Sequence, residues 1–152
     1  MPEKKTIARA HKDKREGKAP STQAGEFIRE EVEHIRHGKH GARSTKQAIA
    51  IGLSKARRAG VKLPPPTKGR ASTQTRSRAR RDYAKGQGGT WKRPSAKRSR
   101  AILKALRREG HGAASHRALS RQARNSARRR SVAQRSAAAK RAAHTRAKSN
   151  QQ

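Results

Sequence analysis

The chain has 152 residues, of which 42 are Lys or Arg and 9 are Asp or Glu, giving a formal net charge of +33. Of its 45 hydrophobic residues 27 are Ala, so only 18 larger apolar side chains remain. By area alone these cannot offset the ordering entropy of the whole length, which argues against a single compact core and against an enzyme, whose site needs a rigid scaffold. The longest apolar run, the six residues Ala48 to Leu53, is far too short to span a membrane. No apolar segment near the start resembles a secretory signal, and there is no Cys for disulfides or thiolate metal sites. A charge of this size calls for a polyanionic partner, and nucleic acid is the abundant one.

In chain order, residues 1–20 read as a polar, loosely helical arm, with Thr6 as a cap and nothing to hold it down. Residues 21–63 carry 9 of the 18 larger apolar residues and read as a helical hairpin. Pro20-Ser21-Thr22 starts the first helix, Phe27, Ile28, Val32 and Ile35 recur on one face with Ala24, and Gly38 stops it. Glu26, Glu30 and Glu33 fall on the other side. Ser44 and Gln47 fit a capping box opening a second helix, which buries Ala48, Ile49, Gly52, Leu53 and Ala56 and ends at Gly60 before Pro64-Pro65-Pro66. The hairpin should show one acidic and one basic outer face. Residues 64–94 read as a linker rich in Pro, Gly, Ser and Arg, with Tyr83 and Trp91 isolated in it. Residues 95–149 read as a basic Ala/Arg-rich region. It holds a short helix over 95–109, capped by Ser95 or Ser99, with an Ile102/Leu103/Leu106 stripe, and a tail that is disordered when free. The expected fold is mostly α: a small hairpin plus long basic, largely disordered or conditionally helical extensions. Self-association through the hairpin would compensate for its small size.

Charge is divided unevenly. Residues 67–152 hold 26 basic and 2 acidic residues. Arg dominates there, and its planar guanidinium pairs bidentately with phosphate. The residues assigned to nucleic acid are Lys46, Lys55, Arg57 and Arg58 on the second hairpin helix, then Arg76, Arg78, Arg80, Arg81, Lys92, Arg93, Lys97, Arg98, Arg100, Arg107 and Arg108. In the tail they are Arg117, Arg121, Arg124, Arg128, Arg129, Arg130, Arg135, Lys140 and Arg141. The connection between the hairpin helices is longer than the turn of a helix–turn–helix, so base-specific reading is not expected. Two or three aromatic rings are too few for a single-strand stacking surface.

Other constellations are weaker. His34, His37 and His40 recur every third residue, but without Cys or a suitably placed carboxylate they read as surface histidines, and no metal or other cofactor is expected. The Gly38–Thr45 stretch lacks the residue order and preceding strand of a phosphate loop. Its glycines and bases before a helix N-terminus could still hold one backbone phosphate. The Glu26, Glu30, Glu31 and Glu33 group reads as a solvated or ion-paired face.

Two stretches carry a resemblance. One runs from Ser21-Thr22-Gln23-Ala24-Gly25-Glu26-Phe27-Ile28-Arg29-Glu30-Glu31 on through His37-Gly38-Lys39-His40-Gly41-Ala42-Arg43-Ser44-Thr45-Lys46-Gln47 to Gly60. The other is Lys104-Ala105-Leu106-Arg107-Arg108-Glu109-Gly110 with Ser115 to Ala123. Over most of 21–130 the chain resembles a family of small, very basic bacterial proteins of unknown function, sometimes labelled DNA-binding or plasmid stabilisation protein. The tail is similar in composition to linker-histone-like bacterial proteins. The resulting expectation is a non-enzymatic, largely sequence-nonspecific DNA-binding protein, cytoplasmic and at the nucleoid, acting by phosphate neutralisation. An RNA- or ribosome-binding basic protein is the alternative, and no membrane partner is expected.

Overall fold

Small residues and buried ion pairs supplement a few large apolar side chains where the helices before residue 88 pack together. The computed structural model describes residues 2–88 and 95–149. Within them lie α1 (Lys4–Arg15), α2 (Pro20–Arg36), α3 (Thr45–Arg58), α4 (Thr73–Gln87), α5 (Ala96–Arg107), a 3-10 turn (Gly112–Ala114), α6 (His116–Arg128) and α7 (Val132–Ser149). The chain divides into two units, Met1–Ser115 and His116–Gln152. No helix among the described residues is long and apolar enough to cross a membrane.

In the first unit α2 and α3 form the expected hairpin. Pro20 opens α2, where a missing N–H costs nothing. Ser44 Oγ accepts from the Gln47 N–H at 3.2 Å, while Gln47 Oε1 accepts from the Arg43 N–H at 2.9 Å, one residue upstream of the usual reciprocal bond. Gly60 terminates α3 at φ +89, with Val61 N–H bonded to the Ala56 carbonyl and Gly60 N–H to that of Arg57, both at 3.1 Å. The helices meet closely. A Cβ on Gly52 would stand 2.7 Å from Ile28 Cα, and Ala24, Ala48 and Ala56 are fully buried. Phe27 and Ile35, 1% and 0% exposed, are the largest apolar side chains enclosed.

The expected disordered extensions are replaced by packed or regular helix, which corrects the fold class. The arm at 1–20 holds α1. Ile7 and Ala10 pack with Phe27, Ala24, Leu53, Ala56 and Val61. The start of α1 is held by α2, since Glu30 Oε2 accepts the Glu3 N–H at 3.0 Å. Thr6, expected as a cap, lies inside the first turn, is buried, and also hydrogen-bonds Glu30. A carboxylate on the exposed amides of a helix N-terminus is favoured by the helix dipole. Of the apolar hairpin residues, Phe27 and Leu53 are therefore packed against the chain's own α1.

The segment read as a linker holds α4, capped by Ser72, whose Oγ accepts from Thr75 N–H at 3.2 Å. Ala79 and Asp82 are buried against α3. Asp82 accepts from Ser54 Oγ and Arg58 Nε, each at 2.7 Å. Gly86 is needed here, because a Cβ would collide with the Arg57 carbonyl. Trp91 and Pro94 lie outside the described residues.

Of the two caps expected for α5, Ser95 is the one used, accepting from Arg98 N–H at 3.2 Å. The end of α5 is tied to the α2–α3 loop by Gly41 N–H to the Leu106 carbonyl at 2.9 Å and Ala42 N–H to that of Gly110 at 3.1 Å. Ala114 in the 3-10 turn is buried, and its carbonyl and that of Ala113 accept from Arg36 Nε (2.9 Å) and Thr45 Oγ1 (2.7 Å).

The second unit is α6 and α7. Ser131 and Gln134 open α7 with a reciprocal capping box, at 3.2 and 3.3 Å. Ala, Arg and Gln are strong helix formers, and here propensity and capping prevail over repulsion among the cations.

Candidate nucleic-acid interface

The basic residues of the hairpin and those of α4–α7 have different surroundings. On α3, Lys46 is exposed, but three other assigned residues are engaged within the fold. Lys55 Nζ stands 2.7 Å from Glu31 Oε2 and 3.1 Å from Glu30 Oε1. Burial would lower the Lys55 pKa, but the two carboxylates, Glu31 foremost, outweigh it and raise it, so this cation is fixed in place. Burial likewise pushes the Glu30 carboxyl up, and hydrogen bonds from Thr6, Glu3 and Lys55 more than reverse it. The acidic face expected on α2 is thus largely internal, with Glu30 and Glu31 both buried. Arg57 is 8% exposed and donates to the carbonyls of Leu63 and Pro64 at 3.2 and 3.4 Å, folding the proline segment back onto α3. Its pKa is lowered by burial. Arg58 pairs with Asp82.

The helices after residue 70 present their cations outward. With Ala79, Asp82 and Gly86 turned to α3, α4 exposes Arg78, Arg80, Arg81 and Lys85, while Arg76 is half-buried. On α5 Lys97, Arg100, Lys104 and Arg107 follow at intervals of three, four and three residues, which aligns them on one exposed face, and Arg98 and Arg108 are exposed beside them. On α6 Arg117, Arg121, Arg124 and Arg128 recur at four, three and four. They line a shallow surface groove with Ser120, Asn125 and each other. Arg129 and Arg130 follow, exposed, and α7 carries Arg135, Lys140 and Arg141 around its circumference. Lys92 and Arg93 lie outside the described residues. After Thr67 the only acids are Asp82 and Glu109, and Asp82 is committed to Arg58 and Ser54.

Residues three and four apart on a helix face are about 5–6 Å apart at Cβ, so these rows repel themselves unless an anion lies on them. The α6 row spans about 16 Å, roughly the axial rise of five base pairs. The glycine loop before α3 has a different use. Gly41 is pressed against the Glu109 backbone, and Thr45 is engaged with Ala113, so the loop serves to join α5 and the 3-10 turn to the hairpin.

One further cluster differs from expectation. Of the three spaced histidines, His37 ends α2 in the open, while His34 and His40 turn toward each other with ring centroids 6.1 Å apart. The carboxylate judged missing is present: Glu31 Oε1 is 3.1 Å from His40 Nε2. Glu31 and His34 are three residues apart on α2, a spacing that places them on one helix face, and this was the available signal.

Residues 3–68 match the family of unknown function DUF6496. The matched stretch covers α1 to α3 and the segment just after, including Glu3, Glu30, Glu31, His34, His40 and Lys55. It begins earlier than the resemblance read over 21–130 and ends before α4. No curated protein and no solved structure matches the chain.

Proposed function

We propose that this protein binds nucleic acid without catalysis, favouring duplex DNA and reading little of its sequence, and that it acts in the cytoplasm at the nucleoid. The observation that carries the reading is the α6 row, Arg117, Arg121, Arg124 and Arg128, exposed on one helix face in a segment without an acid. Such a row suits phosphate oxygens, which position a protein on nucleic acid but carry no base information. The α4 and α5 faces add cations of the same kind. The α1–α4 bundle, in which Glu30 and Glu31 hold Lys55 and Asp82 holds Arg58, is the folded platform. The resemblance to basic bacterial proteins labelled DNA-binding points the same way.

RNA is the competing ligand, because the same phosphate chemistry serves both. Crosslinking in cells followed by sequencing of the bound nucleic acid separates them. Recovery spread over the chromosome supports the proposal. Recovery confined to ribosomal RNA, matched by rRNA fragments displacing a labelled 30-mer duplex, overturns it in favour of RNA.

A further inference from the structure

We propose that Glu31, His34 and His40 form a binding site for one divalent transition cation of the zinc type. One carboxylate oxygen of Glu31 and one ring nitrogen from each histidine lie within 4.8 Å of one another. Ligands about 2.0–2.1 Å from a tetrahedral ion sit about 3.3 Å apart, so closing the set takes movements of about 1 Å, within the reach of side-chain torsions. Two imidazoles with one carboxylate and no thiolate suit zinc and its neighbours rather than magnesium or calcium.

The hydrogen bonding of the cluster favours a cation over a closed ion-pair network. His40 Nδ1 is 3.0 Å from the Gly41 carbonyl oxygen, which can only accept, so Nδ1 carries a proton. In the neutral ring Nε2 then presents a lone pair to Glu31 Oε1 at 3.1 Å, an unfavourable contact that needs a cation or a second proton between them. A ring N–H held by a backbone carbonyl is also the usual support of a metal-binding histidine. His34 Nε2 is similarly 2.8 Å from Glu3 Oε1. Glu31 is fully buried; its Oε2 is paired with Lys55 Nζ at 2.7 Å, while its Oε1 faces His40 Nε2 with no hydrogen-bond donor on it. A buried carboxylate left in that condition is costly, and coordination through Oε1 relieves it.

Charge allows the ion. Glu3, Glu30 and Glu31 against Lys39 and Lys55 leave one negative charge around two neutral imidazoles, so a divalent cation brings the site to +1, the same as protonating both rings. The ion would join α2 to the loop that also holds the end of α5, a staple for a domain with few large apolar residues.

The test uses the full chain, stripped of nucleic acid at high salt and of metal by a chelator, and titrated with Zn2+ and with Co2+. The expected result is one Zn2+ per chain with a dissociation constant below about 10 μM, a raised Tm, and the intense visible absorption of low-symmetry four-coordinate Co2+. His34→Gln and His40→Gln should weaken binding at least about 10-fold, and a His37→Gln/His111→Gln double variant should not change it. Because His40 is buried and its substitution also disturbs packing, long-range 1H–15N spectra of the unmodified protein provide a second reading. Zn2+ must shift the ring nitrogens of His34 and His40 before those of the other histidines. No stoichiometric binding, equal affinity in His34→Gln, or unmoved His34 and His40 nitrogens would overturn the site.

Discussion

Replacing Gly52 with Ala tests whether α2 and α3 are in backbone contact. In an isolated helix the change favours helix by about 1 kcal/mol, because Gly is that much poorer than Ala in a helix interior. In the folded protein the new methyl would stand 2.7 Å from Ile28 Cα and 2.9 Å from Ile28 N. Both are backbone atoms and cannot rotate away, so the two helices must separate. Overpacking of this kind costs about 1–3 kcal/mol or more, and separation also loosens contacts of the fully buried Ala24, Ala48 and Ala56. The net expectation is destabilisation by about 1–3 kcal/mol. For a unit of 115 residues that lowers Tm by roughly 4–12 °C. The control is Gly25→Ala on α2, where a Cβ would meet nothing within 4 Å. It should hold or raise Tm by a few degrees. Thermal circular dichroism of both variants at one salt concentration reads the difference. A Gly52→Ala protein as stable as Gly25→Ala would refute the close packing.

Three further outcomes follow from the ion pairs and the basic faces. Lys55→Met leaves Glu30 and Glu31 buried without their shared cation and should cost about 3–5 kcal/mol in denaturant unfolding; a loss below about 1 kcal/mol would show that the pair is not buried. Asp82→Ala removes the anchor of α4 on Ser54 and Arg58, costs about 1–3 kcal/mol, and should open 73–87 to limited proteolysis before the rest of the unit; unchanged protection there would refute that anchoring. Replacing Arg117, Arg121, Arg124 and Arg128 together with Gln should flatten the salt dependence of DNA binding by about 3–4 units of log–log slope, read by fluorescence anisotropy, whereas an unchanged slope would mean that this row does not meet phosphate.

The hairpin was legible because its signals are local: Pro20 at a helix start, Ser44 and Gln47 as a cap, and left-handed Gly38 and Gly60 as stops. The rest was misread for one physical reason. Counting large apolar residues undervalues a core made by Ala10, Ala24, Ala48, Ala56, Ala79 and Ala114, in which small side chains and Gly52 and Gly86 let backbones approach. The polar contribution was also hidden. Glu30 and Glu31 read as part of a solvated face, although Glu31, four residues from both Phe27 and Ile35, falls on the buried side by helical spacing, and their partners Glu3, Thr6 and Lys55 are 24 or more residues away in sequence. The same distance concealed Asp82 as the anchor of α4. In α6 and α7 propensity pointed to helix, and weight given to charge repulsion led away from it. At the candidate interface the sequence marked which residues are basic but not which are spent internally: Arg57 and Arg58 fall away from the Ala48, Gly52 and Ala56 stripe and Lys55 at its edge, yet all three meet carboxylates or carbonyls of the same chain.

The most direct test of the functional account is the affinity of the full protein for a random-sequence 30-mer duplex, measured by anisotropy over a range of salt concentrations. Neutralisation of about 8–12 phosphates by the α4–α7 faces predicts a log–log slope of roughly −7 to −11, the same for unrelated duplex sequences. A slope shallower than about −3, or a tenfold preference for one duplex over another, would contradict binding through phosphate neutralisation.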